Sequence, residues 1–567
     1  MVSTRYREVL PVLGRRKSYD ELPALSVRRG ELRVSLRRVT VAWLLCIVFV
    51  VFCMQASHKI VFFRMVGFTD FHFGLMGALV FLPRIWQFVA TVLVERSGLR
   101  KYLFIHSLLV SRLAWVAIAA VPLLLPVPSA GAVAVLLVVF ALSQCFQAMG
   151  EPAWLTWMGD LIPRRIRGRF LATRARLGMI VRLAAFTGVG LLVDAVTVSG
   201  RPETAAAQPT LLWVISAILA VGALFGAGDI WMFRRIREIR KPTPDRLPPR
   251  VLQFDLPPRR RGAGGALVHA ARWLGRAGDE LLIDPLRDTG FRRFALYAAV
   301  GVALPMSVGS FFMINGLENL GYGTFGANVL FIGVGGVSGI ATSGLWGRAI
   351  DRWGRRPALL LGSGGTMFSA LPWFFVTRHT PAPTPLVDRL NAAGSWVGGL
   401  FGAADWQVIT PATPLGAYLG GALACTIGGT CWAGVHMART SVVLGFADGP
   451  GRSRYVAAMS VLFGIGGTVG GLAAGGIASA LKGWSVTVGP FFWRNWHAVF
   501  LLSIAARAAA LTIVARMPDP GARPFRQMAR SIRAQVRSGI ANGLFYPWRL
   551  VLARPRKPPD DPDRDDR

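Results

Sequence analysis

Several polar and charged side chains of this sequence lie inside long apolar blocks. A group of that kind is costly in such a setting and marks a solute path, a proton relay or a buried partner. Gln55 stands in the first block, Arg84 in the second, Gln144, Gln147 and Glu151 in the fourth, and Arg182 in the fifth. Asn315 and Glu318 close the seventh block, and Thr430, His436 and Arg439 follow one another through the tenth. These types suit recognition and release of a solute better than covalent catalysis. The sequence holds no phosphate-cradling G-x-x-x-x-G-K-[ST], no histidine–acid metal cluster and no nucleophile elbow. No catalytic residue, metal or resident cofactor is therefore expected; a proton or another ion is the one coupling partner in view. The five cysteines, Cys46, Cys53, Cys145, Cys425 and Cys431, sit in apolar blocks without metal spacing and read as small buried hydrophobes.

The elements that must hold these groups are membrane spans. The chain has 567 residues, 53% of them hydrophobic and 16% charged, too few charges for a water-facing surface of that size. A helix crosses a bilayer with roughly 20 apolar residues, and lipid leaves no other way to satisfy the backbone. Twelve such blocks are predicted: 40–62, 73–94, 102–126, 130–157, 172–197 and 209–233, then 291–317, 325–347, 357–377, 415–443, 455–481 and 491–515. The expected fold is an all-α membrane protein of two pseudo-symmetric six-helix halves, 40–233 and 291–516. A tail (1–39), a linker rich in Pro and Arg (234–290) and a second tail (517–567) flank them. Segment 378–414 is long for a connection and is expected to carry a short surface helix at 386–401.

The net charge of +35, taken alone, suggests a nucleic-acid partner. Its distribution argues otherwise. Most of the 64 Lys and Arg residues fall in the two tails, the linker and four connections on one side. By the positive-inside rule that side is cytoplasmic, both termini lie inside, and the chain is a multi-pass protein of the cytoplasmic membrane. The partners expected are lipid and a small molecule, with no nucleic acid and a monomeric chain. Arg526, Arg530, Arg533 and Arg537 share one face of 525–540 and predict an amphipathic helix lying on the inner leaflet.

The halves repeat at two turns. After the eighth span the chain reads Gly347-Arg-Ala-Ile-Asp351-Arg352-Trp-Gly354-Arg355-Arg356, and after the second Thr91-Val-Leu-Val-Glu95-Arg96-Ser-Gly98-Leu99-Arg100-Lys101. The fourth-to-fifth connections also correspond, with Asp160 in one and Asp448 in the other. Gly347 would let two helices approach, Asp351 would sit at a helix N-terminus, and Arg352 would pair with Asp448 as Arg96 with Asp160. Glu151 and Arg439 each stand nine residues before those aspartates. They are expected to bridge the halves when the other side is open.

The 347–356 motif matches the loop signature G-x-x-x-D-R-x-G-R-R, and on it the chain resembles the major facilitator superfamily. That resemblance implies a secondary transporter working by alternating access, with the first, fourth, seventh and tenth helices lining the path. A membrane scaffold or sensor that no longer moves solute is the alternative. Several arginines against few acids favour an anionic substrate. The fifth helix lacks the Gly-Pro pair of the superfamily's drug antiporters.

Overall fold

The structure, a computed structural model, describes residues 29–87, 90, 100–197, 209–236, 275, 278–399, 413–446, 452–519 and 530. The expected tail helix at 525–540 and most of the linker lie outside them, as do Glu95, Arg96, Gly98, Asp448 and the side chain of Asp160.

Twelve of the helices among the described residues correspond to the expected spans. The first runs Arg29–Phe49, loosens into a π turn at Val50–Gln55, breaks at Ala56 and resumes as His58–Val66. The second is Asp70–Phe81 with a 3-10 turn, Leu82–Ile85, around Pro83. The third to sixth are Arg100–Leu124, Ala130–Leu161, Arg164–Val196 and Pro209–Phe233. In the second half the seventh spans Thr289–Asn319 and the eighth Thr324–Trp353, each with π turns inside. The ninth is Arg355–Phe368, and the tenth to twelfth are Leu415–Phe446, Arg452–Ala480 and Asn495–Ala515. Nine of the described helices are long and apolar enough to cross a membrane.

Three edges differ from expectation. The first helix is already formed at Arg29, the first described residue and eleven residues before the apolar block, with Ser35 and Val39 buried. The ninth ends early: Leu371–Phe374 is a 3-10 turn, because Pro372 supplies no backbone donor. Residues 491–494 are not helical. They form β2 (Phe491–Arg494), antiparallel to β1 (Ser485–Val488), with Val488 opposite Phe491 across a turn where Gly489 has φ +58°. The surface helix stands at Thr384–Gly399.

The halves meet along two seams of small residues, which let backbones approach where lipid gives no hydrophobic drive. In one, the second helix packs on the eleventh: a Cβ at Gly74 would lie 2.3 Å from the Gly475 Cα, and one at Gly471 2.4 Å from the Ala78 nitrogen. In the other, the fifth meets the start of the eighth, and a Cβ at Gly190 would lie 2.6 Å from the Phe325 Cα.

Candidate functional site

The end of the bundle that carries the linker is built by helix C-termini capped with cations. Lys101, in the first turn of the third helix, donates to the carbonyls of Arg234 (2.9 Å) and Ile236 (2.7 Å) beyond the sixth. Arg38 of the first helix donates to the Arg235 carbonyl at 2.7 Å. The second half repeats the pattern. Arg356 of the ninth helix donates to the Ala515 carbonyl, and Arg293 of the seventh to the Arg516 carbonyl at 2.5 Å, at the end of the twelfth. A cation at a helix C-terminus satisfies orphan carbonyls and the dipole together. The duplication seen in the sequence thus extends to which helix caps which.

The opposite end is closed by a network across the halves. Arg64, ending the first helix, donates through Nε to Glu318 Oε1 at 2.6 Å and through Nη2 to Oε2 at 3.2 Å, and it also pairs with Asp70. Asp70, in the first turn of the second helix, accepts from Asn495 Nδ2 at 2.8 Å and Trp496 Nε1 at 3.1 Å. So the first two helices are tied to the seventh and the twelfth. Beside this, Asp194 of the fifth helix accepts from the Thr324 and Phe325 backbone N–H groups, at 2.8 and 2.9 Å, capping the eighth helix across the seam.

The break in the first helix belongs to the same closure. His58 and Lys59 turn back onto the break: His58 Nε2 lies 2.6 Å from the Phe52 carbonyl, and Lys59 Nζ donates to the Met54 carbonyl at 2.5 Å. Those carbonyls are freed because the helix stops at Ala56, whose ψ is 159°. The turn leaves Ser57 facing the eighth helix, where its N–H donates to Asn328 Oδ1 (2.8 Å) and its hydroxyl to the Thr324 carbonyl (3.0 Å).

Toward the linker end this cross-linking thins out. The eighth helix approaches the fifth at Gly336, whose Cβ would lie 3.7 Å from Met179, while Gly344 would meet nothing within 4 Å. In the space between the halves two guanidinium groups from opposite halves share one ring. Arg84 of the second helix sits 5.5 Å and Arg439 of the tenth 4.8 Å from the centroid of Phe463 on the eleventh. Neither forms an ion pair among the described residues, and the buried Arg84 Nε has no hydrogen-bond partner there. Each guanidinium is attracted to the ring face while the two like charges repel each other.

The remaining sequence candidates are distributed as follows. Glu151 is exposed and its Oε2 accepts from Gln87 at 2.6 Å, so the expected Glu151–Arg439 bridge is not formed in this conformation. Gln147 accepts from Arg112 Nη1 at 2.7 Å, and Gln144 is buried one turn earlier. Asn315 is fully buried, accepts from Asn319 at 3.1 Å and keeps an unpartnered Nδ2 among the described residues. Gln55 is exposed beside the helix break, and Arg182 is half-buried. The Thr430 carbonyl accepts from Trp346 Nε1 at 2.7 Å, and His436 lies over Trp432 with ring centroids 5.5 Å apart.

The loop motif is corrected in detail. Close approach of the eighth and tenth helices occurs at Gly335 and Gly429, where a Cβ on Gly429 would lie 2.0 Å from the Gly335 oxygen. At Gly347 a Cβ would meet only the Met437 side chain at an ordinary 3.5 Å. The anion at the ninth helix N-terminus is Asp519, accepting from the Arg356 N–H at 2.8 Å; Asp351 is exposed. Gly354 has φ +95°, which makes the sharp turn into the ninth helix. Arg352 is exposed over Trp353, Arg355 is half-buried, and Arg100 is buried at the start of the third helix. Sequence reasoning missed Arg64, Asp70, Asn495 and Trp496. The acids and bases at span ends look alike in sequence, and only the packed bundle brings partners 254 and 425 positions apart together.

The family model described as Major Facilitator Superfamily matches residues 43–412. The chain belongs to that superfamily. It is accordingly a multi-pass membrane protein and a secondary active transporter that moves a small solute by alternating access. Solved structures share this fold. The nucleoside transporter NupG is 11% identical with a TM-score of 0.51, covering 86% of this chain and 98% of its own. The xylose transporter XylE from E. coli, in a partially occluded inward open conformation, is 13% identical at 0.50, covering 87% and 100%. A D-xylose-proton symporter is 13% identical at 0.51, covering 85% and 97%. No curated protein gives a significant match.

Proposed function

We propose that this transporter carries a small anionic solute across the cytoplasmic membrane, and that Arg84 and Arg439 hold it. The observation that carries this is the pair of guanidinium groups over Phe463, contributed by the two halves and without an acidic partner among the described residues. An anion bridging them would engage both halves at once, which is what a substrate must do to couple its binding to their relative motion. The basic side of the bundle is the cytoplasmic one by the positive-inside rule, with both termini inside. The conformation is then inward-facing: Arg64, Asp70 and Glu318 close the outer end while the central pair is approached from the cytoplasm. The working unit is read as a monomer in lipid, with a small molecule rather than nucleic acid as its partner. A proton or another ion supplies the drive, and the exposed Glu151 at the inner mouth is the carboxylate placed to carry it.

The test is metabolite profiling of cells with and without the gene, followed by uptake or efflux of the solute so found. Arg84→Gln and Arg439→Gln should each lower its transport by about tenfold or more, the loss of one charge-assisted contact. A neutral or cationic solute, or full transport by both variants, contradicts the reading.

A further inference from the structure

A cavity of about 360 Å³ lies inside the first half and is lined by residues of that half alone. The third and sixth helices, which do not border that seam, form two of its walls through Phe104, Arg112, Asp229 and Phe233. Its volume is that of a small-molecule site. Two buried arginines line it. Arg112, 4% exposed, lies 4.1 Å from the Phe49 ring, donates to Gln147 and stands 3.8 Å from Asp229. Arg174, 8% exposed, is held between indoles, 4.1 Å from Trp43 and 5.4 Å from Trp154, and forms no ion pair among the described residues. The Nε of each is buried without a hydrogen-bond partner there.

Asp229 stands within ion-pair distance of Arg112 and reaches Arg174 only through the longer-range field. A buried donor without an acceptor costs the desolvation of that group, and a buried charge without a counter-charge costs more. The space beside Arg174 is walled by indole and phenyl rings, which favour a flat apolar body over a hydrated inorganic ion. Both demands are met by one ligand chemistry: a carboxylate for Arg174, carried on a ring that packs against the aromatic wall formed by Trp154, Phe104 and Phe233.

We propose that this cavity binds a small ring-bearing carboxylate, entering past the exposed Glu151 at its rim, at a site separate from the central pair of arginines. Bound there, the ligand would tie the first, third, fourth and fifth helices into one unit and so act on the rocking of that half.

The probe is 4-fluorobenzoate, followed by fluorine NMR on the purified full chain in lipid nanodiscs. Saturable broadening is expected for the wild type and for the Arg84→Gln/Arg439→Gln double variant, in which the central pair is gone. Adding Arg174→Gln should weaken binding by about tenfold or more, and Trp154→Ala by several-fold, the worth of one charge-assisted bond and one ring contact. Neutral 4-fluorobenzamide should bind about tenfold more weakly than the carboxylate to the unaltered chain. No saturable binding, equal binding of the amide, or binding abolished by the double variant overturns the proposal. The last result would place the probe between the halves and leave the central reading standing. If Arg174→Gln does not fold, the amide comparison and Trp154→Ala still decide.

Discussion

The two ends of this bundle are built from the same residue types and behave as opposites. At one end Arg64, Asp70 and Glu318 form a network that reaches Asn495 and Trp496 across the halves. At the other, the charged side chains cap helices of their own half: Lys101 and Arg38 the sixth, Arg356 and Arg293 the twelfth. The first arrangement holds the halves together. The second makes each half rigid and leaves it free to move. Charge at a span end therefore has no fixed meaning; what decides is whether the partner belongs to the same half.

That contrast can be broken at the seam first. Gly74→Val should give the largest effect. Its new Cβ would lie 2.3 Å from the Gly475 Cα, against backbone that cannot turn aside. Overpacking of this kind costs about 1–3 kcal/mol or more. The expected outcome is a lowered unfolding temperature of the purified protein together with lost transport. A chain with unchanged stability would mean that the second and eleventh helices are not in this contact.

A smaller effect is expected at the other end. Asp351 is exposed and makes no ion pair among the described residues, so Asp351→Ala should leave insertion and unfolding temperature unchanged. It should still lower transport by a few-fold, about 1 kcal/mol in the closure of the linker end. Unaltered transport would reduce the motif to a topological signal.

The sequence carried the architecture well and the site unevenly. Twelve spans were legible because lipid enforces long apolar blocks, and the repeat was legible at 91–101 and 347–356. Arg84 and Arg439 stood out because charge inside a span is conspicuous. Their meeting over Phe463 did not, since the ring looks like any other core aromatic. Arg112 lies inside the third apolar block, but its partner Asp229 lies near a span end and looks like an ordinary flank. The pattern read from Gly347 and Asp351 named a constrained turn; in this conformation Gly335 and Gly429 make the close helix approach and Asp519 caps the ninth helix. Spacing shows that a turn is constrained, and packing shows which side chain meets it.

The central claim is that a cross-half ion network shuts one end of a path that is open at the other. Thr430 on the tenth helix, replaced by cysteine in a chain without its native cysteines, reports on that path. A membrane-impermeant maleimide is applied from each side of oriented vesicles, with Arg64 intact and with Arg64→Gln. The substitution leaves Asp70 and Glu318 facing each other without their cation, a loss of about 1–3 kcal/mol at this partly exposed site, or roughly one to two powers of ten in the closed-to-open ratio. With Arg64 intact, labelling is expected from the linker side. With Arg64→Gln, labelling from the opposite side should rise by about tenfold or more. Labelling from the linker side alone in both chains would contradict the account.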